Sequence, residues 1–177
     1  RETLRLRENW RKYLIVGLLN SALPFTLIAF SELRLSVSLA AILNSTTPLF
    51  TALVAAAWGS ERLTGRKIMG VLLGVIGVGV LVGGAPLTLD RGILMAVLAS
   101  LLAALAYGMG AVYAAKHISS LPAAYASTAQ LLAAAVWLVV PAAMAPAIRP
   151  SPLAVGALAA LILVSTTFAY LLYFFLL

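Results

Sequence analysis

Residues Asn44-Ser45-Thr46-Thr47-Pro48 place four hydrogen-bonding side chains and a proline in the middle of an apolar run from about Leu35 to Trp58. A helix rising ~1.5 Å per residue needs roughly 20 residues to cross ~30 Å of hydrocarbon, and this run is long enough. Pro48 has no N–H to give the carbonyl of Asn44, and its ring crowds that carbonyl. The freed oxygen must be met by a hydroxyl, a water, a ligand or a neighbouring helix. The same spacing occurs one run earlier, where Asn20 lies four residues before Pro24. Two successive antiparallel helices would then each carry Asn-x-x-x-Pro near mid-depth. The chemistry open to such residues is hydrogen bonding to a neutral or zwitterionic molecule.

Other chemistries lack their residues. The five acids lie in the lead-in or near span ends, and no Asp, Glu, Lys, Arg or His is well inside an apolar run. A proton or ion relay through a bilayer normally needs such groups. The chain has no cysteine, and its one histidine, His117, sits beside Lys116 at a predicted helix end. We therefore expect no catalytic residue, no metal site and no cofactor.

Helical spacing groups Gly17, Asn20, Ser21, Pro24, Ile28 and Ser31 on one face, and Asn44, Thr47, Pro48 and Thr51 on another. If the two faces meet, they form a kinked polar lining of the kind on which transporters build substrate sites. The alternative is that the amides and hydroxyls join packed helices, at about 0.6–2 kcal/mol each. Tyr107 lies deep on a face of small residues and needs a partner for its hydroxyl. Gln130 is a weaker cavity candidate, and Tyr170 follows a hydroxyl cluster, Ser165-Thr166-Thr167. We take Asn20, Pro24, Asn44, Thr47, Pro48, Tyr107 and Tyr170 as the candidate substrate-cavity or hinge residues. Gly70 with Gly74, and Gly79 with Gly83, form small-xxx-small pairs suited to helix packing, within the protein or in a homodimer.

The elements that must position these residues follow from composition. Hydrophobic residues make up 63% of the 177 and charged residues 10%, and mean hydropathy is +1.09. Soluble domains carry about 25% charged residues. The runs are continuous rather than alternating, which argues against a β-barrel. We expect an all-α polytopic membrane protein, a bundle of six transmembrane spans: about Tyr13–Ser31, Leu35–Trp58, Ile68–Val82, Gly92–Ala115, Pro122–Met144 and Leu153 onward. Six spans put both ends on one side. Nine of the Lys and Arg residues then fall on that side and three (Arg34, Arg91, Arg149) on the other, which orients both ends toward the cytoplasm. The net charge of +7 is read as loop charge setting orientation, and we expect no nucleic-acid partner, since no aromatic-basic surface accompanies it.

The first and sixth spans share a weak likeness. Asn20-Ser21 and Ser165-Thr166 are small polar pairs, each with an aromatic five residues after its first member, at an offset of 145 residues. The run Ala41-Ile42-Leu43-Asn44-Ser45-Thr46-Thr47-Pro48-Leu49, the turn Glu61-Arg62-Leu63-Thr64, the glycine-studded stretch Gly70 to Gly83 and Leu23-Pro24-Phe25 together resemble the EamA-like branch of the drug/metabolite transporter superfamily. One departure is Ser60, which separates Gly59 from Glu61 where the family often has Gly directly before Glu. The resemblance implies a ten-helix fold of two inverted five-helix repeats, of which this chain, starting at Arg1 and ending in an apolar run, would be a fragment. Residues 1–83 would be the C-terminal part of the first repeat and residues 84–177 the N-terminal part of the second, with three spans each.

The function so implied is a secondary transporter, a permease or exporter in the plasma (inner) membrane. It would move small metabolites, such as amino acids or toxic compounds, by alternating access. Its partners would be the lipid bilayer and a small-molecule substrate. The alternatives are a membrane scaffold or assembly subunit with no transport cycle and, ranked lower, an intramembrane enzyme. The fragment is not expected to transport by itself.

Overall fold

The computed structural model describes residues 6–59, 64–83, 90–119, 121–144, 150–161 and 163–164. All regular structure among them is helical: α1 (Leu6–Gly17), a π-helical turn (Leu18–Ala22), α2 (Leu23–Glu32), α3 (Val37–Asn44), α4 (Thr47–Ala57), α5 (Gly65–Gly83), α6 (Arg91–His117), α7 (Ala123–Met144) and α8 (Pro152–Leu161). The protein is thus an all-α, multi-span membrane protein. Residues 1–143 form one unit and residues 144–177 a second, which holds α8.

Four helical segments among the described residues are long and apolar enough to cross a membrane: Asn9–Glu32, Val37–Ala57, Arg91–His117 and Tyr125–Met144. The expected third span is the 19-residue α5, and the expected sixth begins as α8. The later part of the sixth span, with Ser165-Thr166-Thr167 and Tyr170, lies outside the described residues, as do Glu61, Arg62 and Leu63 of the turn. The first candidate span starts at Asn9, somewhat before the expected Tyr13, and its helix includes residues back to Leu6. Leu, Arg, Glu and Lys are good helix formers, so the charged lead-in continues the helix.

Polar caps set the boundaries. Ser36 accepts from the Leu39 N–H at 3.3 Å to start α3, and Asp90 accepts from the Ile93 N–H at 2.8 Å to start α6. Gly59, at φ 65°, follows Trp58, the C-cap of α4, in the left-handed region that glycine enters without a Cβ penalty.

The 27-residue α6 is the hub of the first unit, packed against α1, the π turn, α2, α3 and α4. It can serve five neighbours because its buried positions are small: Ala96, Ala99, Ser100, Ala103, Ala104, Gly108 and Gly110 among them. Small side chains let backbones approach, which drives helix association where lipid removes the hydrophobic gradient. At Gly108 a Cβ would lie 2.8 Å from the Thr51 backbone nitrogen and 3.0 Å from the Phe50 carbonyl carbon. Apolar clusters close the two ends of this packing. Leu35, Leu39 and Leu43 bury against Ala96, while Tyr13 and Val16 bury with Ile118, Ala129 and Ala133.

Candidate functional site

The Asn44–Pro48 stretch breaks the second span instead of kinking a continuous helix. Ser45, Thr46 and Thr47 donate their hydroxyls back three residues, to the carbonyls of Ile42 (2.6 Å), Leu43 (2.6 Å) and Asn44 (2.7 Å). The oxygens freed at the end of α3 are thus satisfied locally, as backbone in hydrocarbon must be. Pro48 is the second residue of α4, where a missing N–H costs nothing. Of the four ways to meet the Asn44 carbonyl, the molecule uses the hydroxyl of Thr47. What remains unmet is the Asn44 carboxamide, whose Oδ1 is buried with no hydrogen-bond partner.

Pro24 is likewise the second residue of α2, directly after the π turn. The Leu23 N–H there reaches the Leu18 carbonyl, a wider i→i+5 bond, and the Thr26 hydroxyl donates to the Ala22 carbonyl at 2.7 Å.

Beside the break lies a groove of about 840 Å³ between α4 and α6, lined by Thr47, Pro48, Thr51, Ala52 and Ala55 on one side and Ala111, Val112, Ala115 and Lys116 on the other. The Thr51 hydroxyl donates to the Thr47 carbonyl at 2.8 Å. With their protons committed, Thr47 and Thr51 offer lone pairs, so their hydroxyls act as acceptors. The donor is at the far end. Lys116 donates to the Trp58 carbonyl at 2.8 Å, with its Nζ 5.8 Å from the Trp58 ring centroid. An ammonium has three donors, so two remain. The groove therefore offers hydroxyl acceptors, an apolar floor of alanines and one cation.

The two asparagine faces do not close on each other, because α6 packs against both spans. Asn20 donates to Gln130 Oε1 at 3.4 Å and Gln130 donates to Ser21 at 3.1 Å, tying the π turn to α7. On its other side Asn20 fills the space over Gly110, where a Cβ would sit 2.8 Å from Asn20 Cγ. Ser100 donates to Ser31 at 3.0 Å and Ser31 to the Ile28 carbonyl at 2.8 Å, with both serines at 0% exposure. The first-span face is thus packed: Ser21, Pro24 and Ser31 are among its fully buried residues. Tyr107 is half-buried and packs edge-on against Phe25, with centroids 6.4 Å apart at 70°, and it does not line the groove.

Of the candidate residues, Thr47 and Pro48 meet in the groove, Asn44 adjoins them in sequence at the break, and Asn20 in the π turn, Pro24 on α2 and Tyr107 on α6 lie away from it. Tyr170 is outside the described residues. Of the packing glycines, Gly74 lies against Leu49, whose Cδ2 would be 2.7 Å from an added Cβ, whereas Gly70 and Gly79 have nothing within 4 Å. Among the described residues of the chain, Gly74 of the Gly70/Gly74 pair therefore meets a neighbour and Gly70 does not. Sequence reading assigned Lys116 only to a loop. Its recurrence after Val112, at helical spacing, was the available signal.

Apolar helices long enough to cross a membrane, packed around a helix of small residues, define a multi-span membrane protein. Residues 1–83 match the model of the EamA-like transporter family, which is consistent with membership of the drug/metabolite transporter superfamily. It is a family of transporters rather than of enzymes. No curated protein matches the chain, and no solved structure matches it.

Proposed function

We propose that the chain is part of a secondary transporter that moves small metabolites by alternating access, with the α4–α6 groove as part of the substrate path. The observation that carries this reading is the groove itself. It adjoins a broken helix, the place where transporters form substrate sites, and its hydroxyls are arranged as acceptors beside a single cation. A zwitterion such as an amino acid fits it, with the ammonium on Thr47 and Thr51 and the carboxylate toward Lys116. Residues 1–83 would be the C-terminal part of one five-helix repeat and residues 84–177 the N-terminal part of its inverted partner. The chain would cross the plasma (inner) membrane with Arg1 and Lys116 on the cytoplasmic side.

The test is flux of labelled amino acids and cationic drugs into liposomes holding the full-length protein. Thr51→Val and Ala111→Phe are expected to cut flux at least tenfold while the protein stays folded. A panel in which no compound moves would favour the scaffold reading, which the closed Asn20–Gln130–Ser21 network supports.

A further inference from the structure

Where α2 ends and α6 begins, a second cavity of about 420 Å³ is lined by Phe30, Leu33, Arg34, Arg91, Gly92 and Met95. Its polar equipment is two guanidinium groups. Arg34 reaches across from the connection between α2 and α3 to the first turn of α6, where a Cβ on Gly92 would lie 3.7 Å from its Cζ. Arg91 is the first residue of α6. Among the described residues neither arginine has an ion-pair partner. The adjacent acid, Asp90, is engaged as the cap of α6 through the Ile93 N–H. Two cations thus share the cavity's rim with one carboxylate, since Asp90 Oδ1 would lie 3.1 Å from the same Gly92 Cβ, and they stand at the positive end of a helix that itself favours an anion.

The surface beyond the arginines is apolar. Arg91, Met95, Leu98 and Leu102 recur at helical spacing on one face of α6. The last three are 52%, 46% and 52% exposed, and Phe30 on α2 is 49% exposed. These helices form two of the membrane-crossing segments, so this face runs from the span's polar end into the hydrocarbon. A paired cationic head with an apolar track below it is the complement of a phospholipid, because guanidinium forks bind phosphate oxygens in pairs. We propose that this cavity binds the phosphate of an anionic phospholipid, with the acyl chains lying along Phe30, Met95 and Leu98. The site is separate from the α4–α6 groove and does not depend on transport.

The experiment measures lipid binding to the purified chain in neutral detergent, by native mass spectrometry and by thermal shift. The probes are phosphatidylglycerol, phosphatidylcholine and inorganic phosphate. Phosphatidylglycerol is expected to bind and raise the melting temperature, and its affinity should fall as salt rises. Phosphatidylcholine and inorganic phosphate are expected to do neither. Arg34→Gln and Arg91→Gln should each weaken phosphatidylglycerol about fivefold, and together about 25-fold, as expected for ~1 kcal/mol per basic residue at an anionic surface. The Arg34→Lys/Arg91→Lys pair should keep most of the affinity, and circular dichroism should confirm that helix content is intact. If the double glutamine variant loses helicity, Met95→Trp, which obstructs the acyl track without touching charge, must still lower the affinity. Equal binding of the two lipids, a phosphatidylglycerol preference that survives both substitutions, or competition by inorganic phosphate would overturn the proposal.

Discussion

Asn44 and Asn20 look alike in the sequence and end in opposite circumstances. Asn20 is hydrogen-bonded to Gln130, whereas the buried Oδ1 of Asn44 has no partner. Removing a paired group in a packed interface loses the bond and strands its partner, while removing an unpaired one relieves a desolvation cost of about 1–3 kcal/mol. Asn20→Ala is therefore expected to lower stability by about 1 kcal/mol, near the range for interhelical bonds in membranes. Asn44→Ala is expected to leave stability unchanged or raise it. Thermal unfolding in detergent checks both, and destabilisation by Asn44→Ala would show that its carboxamide is paired in the folded chain. If Asn44 contacts substrate, that same variant lowers flux without lowering stability. Glycines divide in the same way. Gly108→Ala drives a Cβ into the α4 backbone at Thr51 and Phe50, which cannot yield as a side-chain tip can. It should cost about 1–3 kcal/mol. Gly77 has nothing within 4 Å, so Gly77→Ala should be neutral or stabilising through helix propensity, worth up to ~1 kcal/mol.

At the scale of elements, the helices were legible because hydrocarbon leaves a chain little choice: an apolar run of about 20 residues becomes a helix. An irregularity near Ser45–Thr46 was legible as a kink because proline cannot continue the bond pattern from Asn44, whereas the division into two helices was not. The role of the three hydroxyls was only partly so, since Ser45, Thr46 and Thr47 bond their own carbonyls in series where a ligand contact was equally consistent with the residue types. The π turn at Leu18–Ala22 had no sequence signal beyond Pro24, because its extra residue is accommodated by packing on α6. Whether the two asparagine faces meet was not legible, because α6, far along in sequence, has the small residues that pack against both spans. Pro48→Ala tests the break as an element. The new N–H at position 48 lies four residues after Asn44 and can complete an α-helical bond to its carbonyl. Stability should change by less than ~1 kcal/mol, since Pro48 occupies an N-terminal position where it costs nothing. Flux should fall if the break shapes the substrate path, and flux with stability both unchanged would make the break a structural accommodation.

For the molecule as a whole, the decisive question is which apolar surfaces meet water and which meet lipid. Exposure in the isolated chain does not separate them: Ala111 on the groove and Val75 on α5 are both exposed. The chain has no cysteine, so one introduced thiol is unique and reports on its own surroundings. A thiol reacts as the thiolate, which forms in water and is suppressed in an apolar medium. Ala111→Cys and Ala52→Cys, on the groove, are therefore expected to react quickly with a charged methanethiosulfonate reagent. Ala103→Cys and Ala104→Cys, at positions of 0% exposure on α6, should react hardly at all. Val75→Cys should resist the charged reagent, because exposed in this chain would there mean facing acyl chains, where the thiolate does not form. The side from which Ala111→Cys is reached also tests orientation, since the Lys and Arg distribution puts Lys116 at the cytoplasmic end. Labelling in inverted vesicles but not in right-side-out ones is the expected result. The reverse pattern would turn the molecule over and place Arg34 and Arg91 in the cytoplasmic leaflet, while equal resistance at Ala111, Ala52 and Val75 would make the groove a lipid-filled seam between α4 and α6.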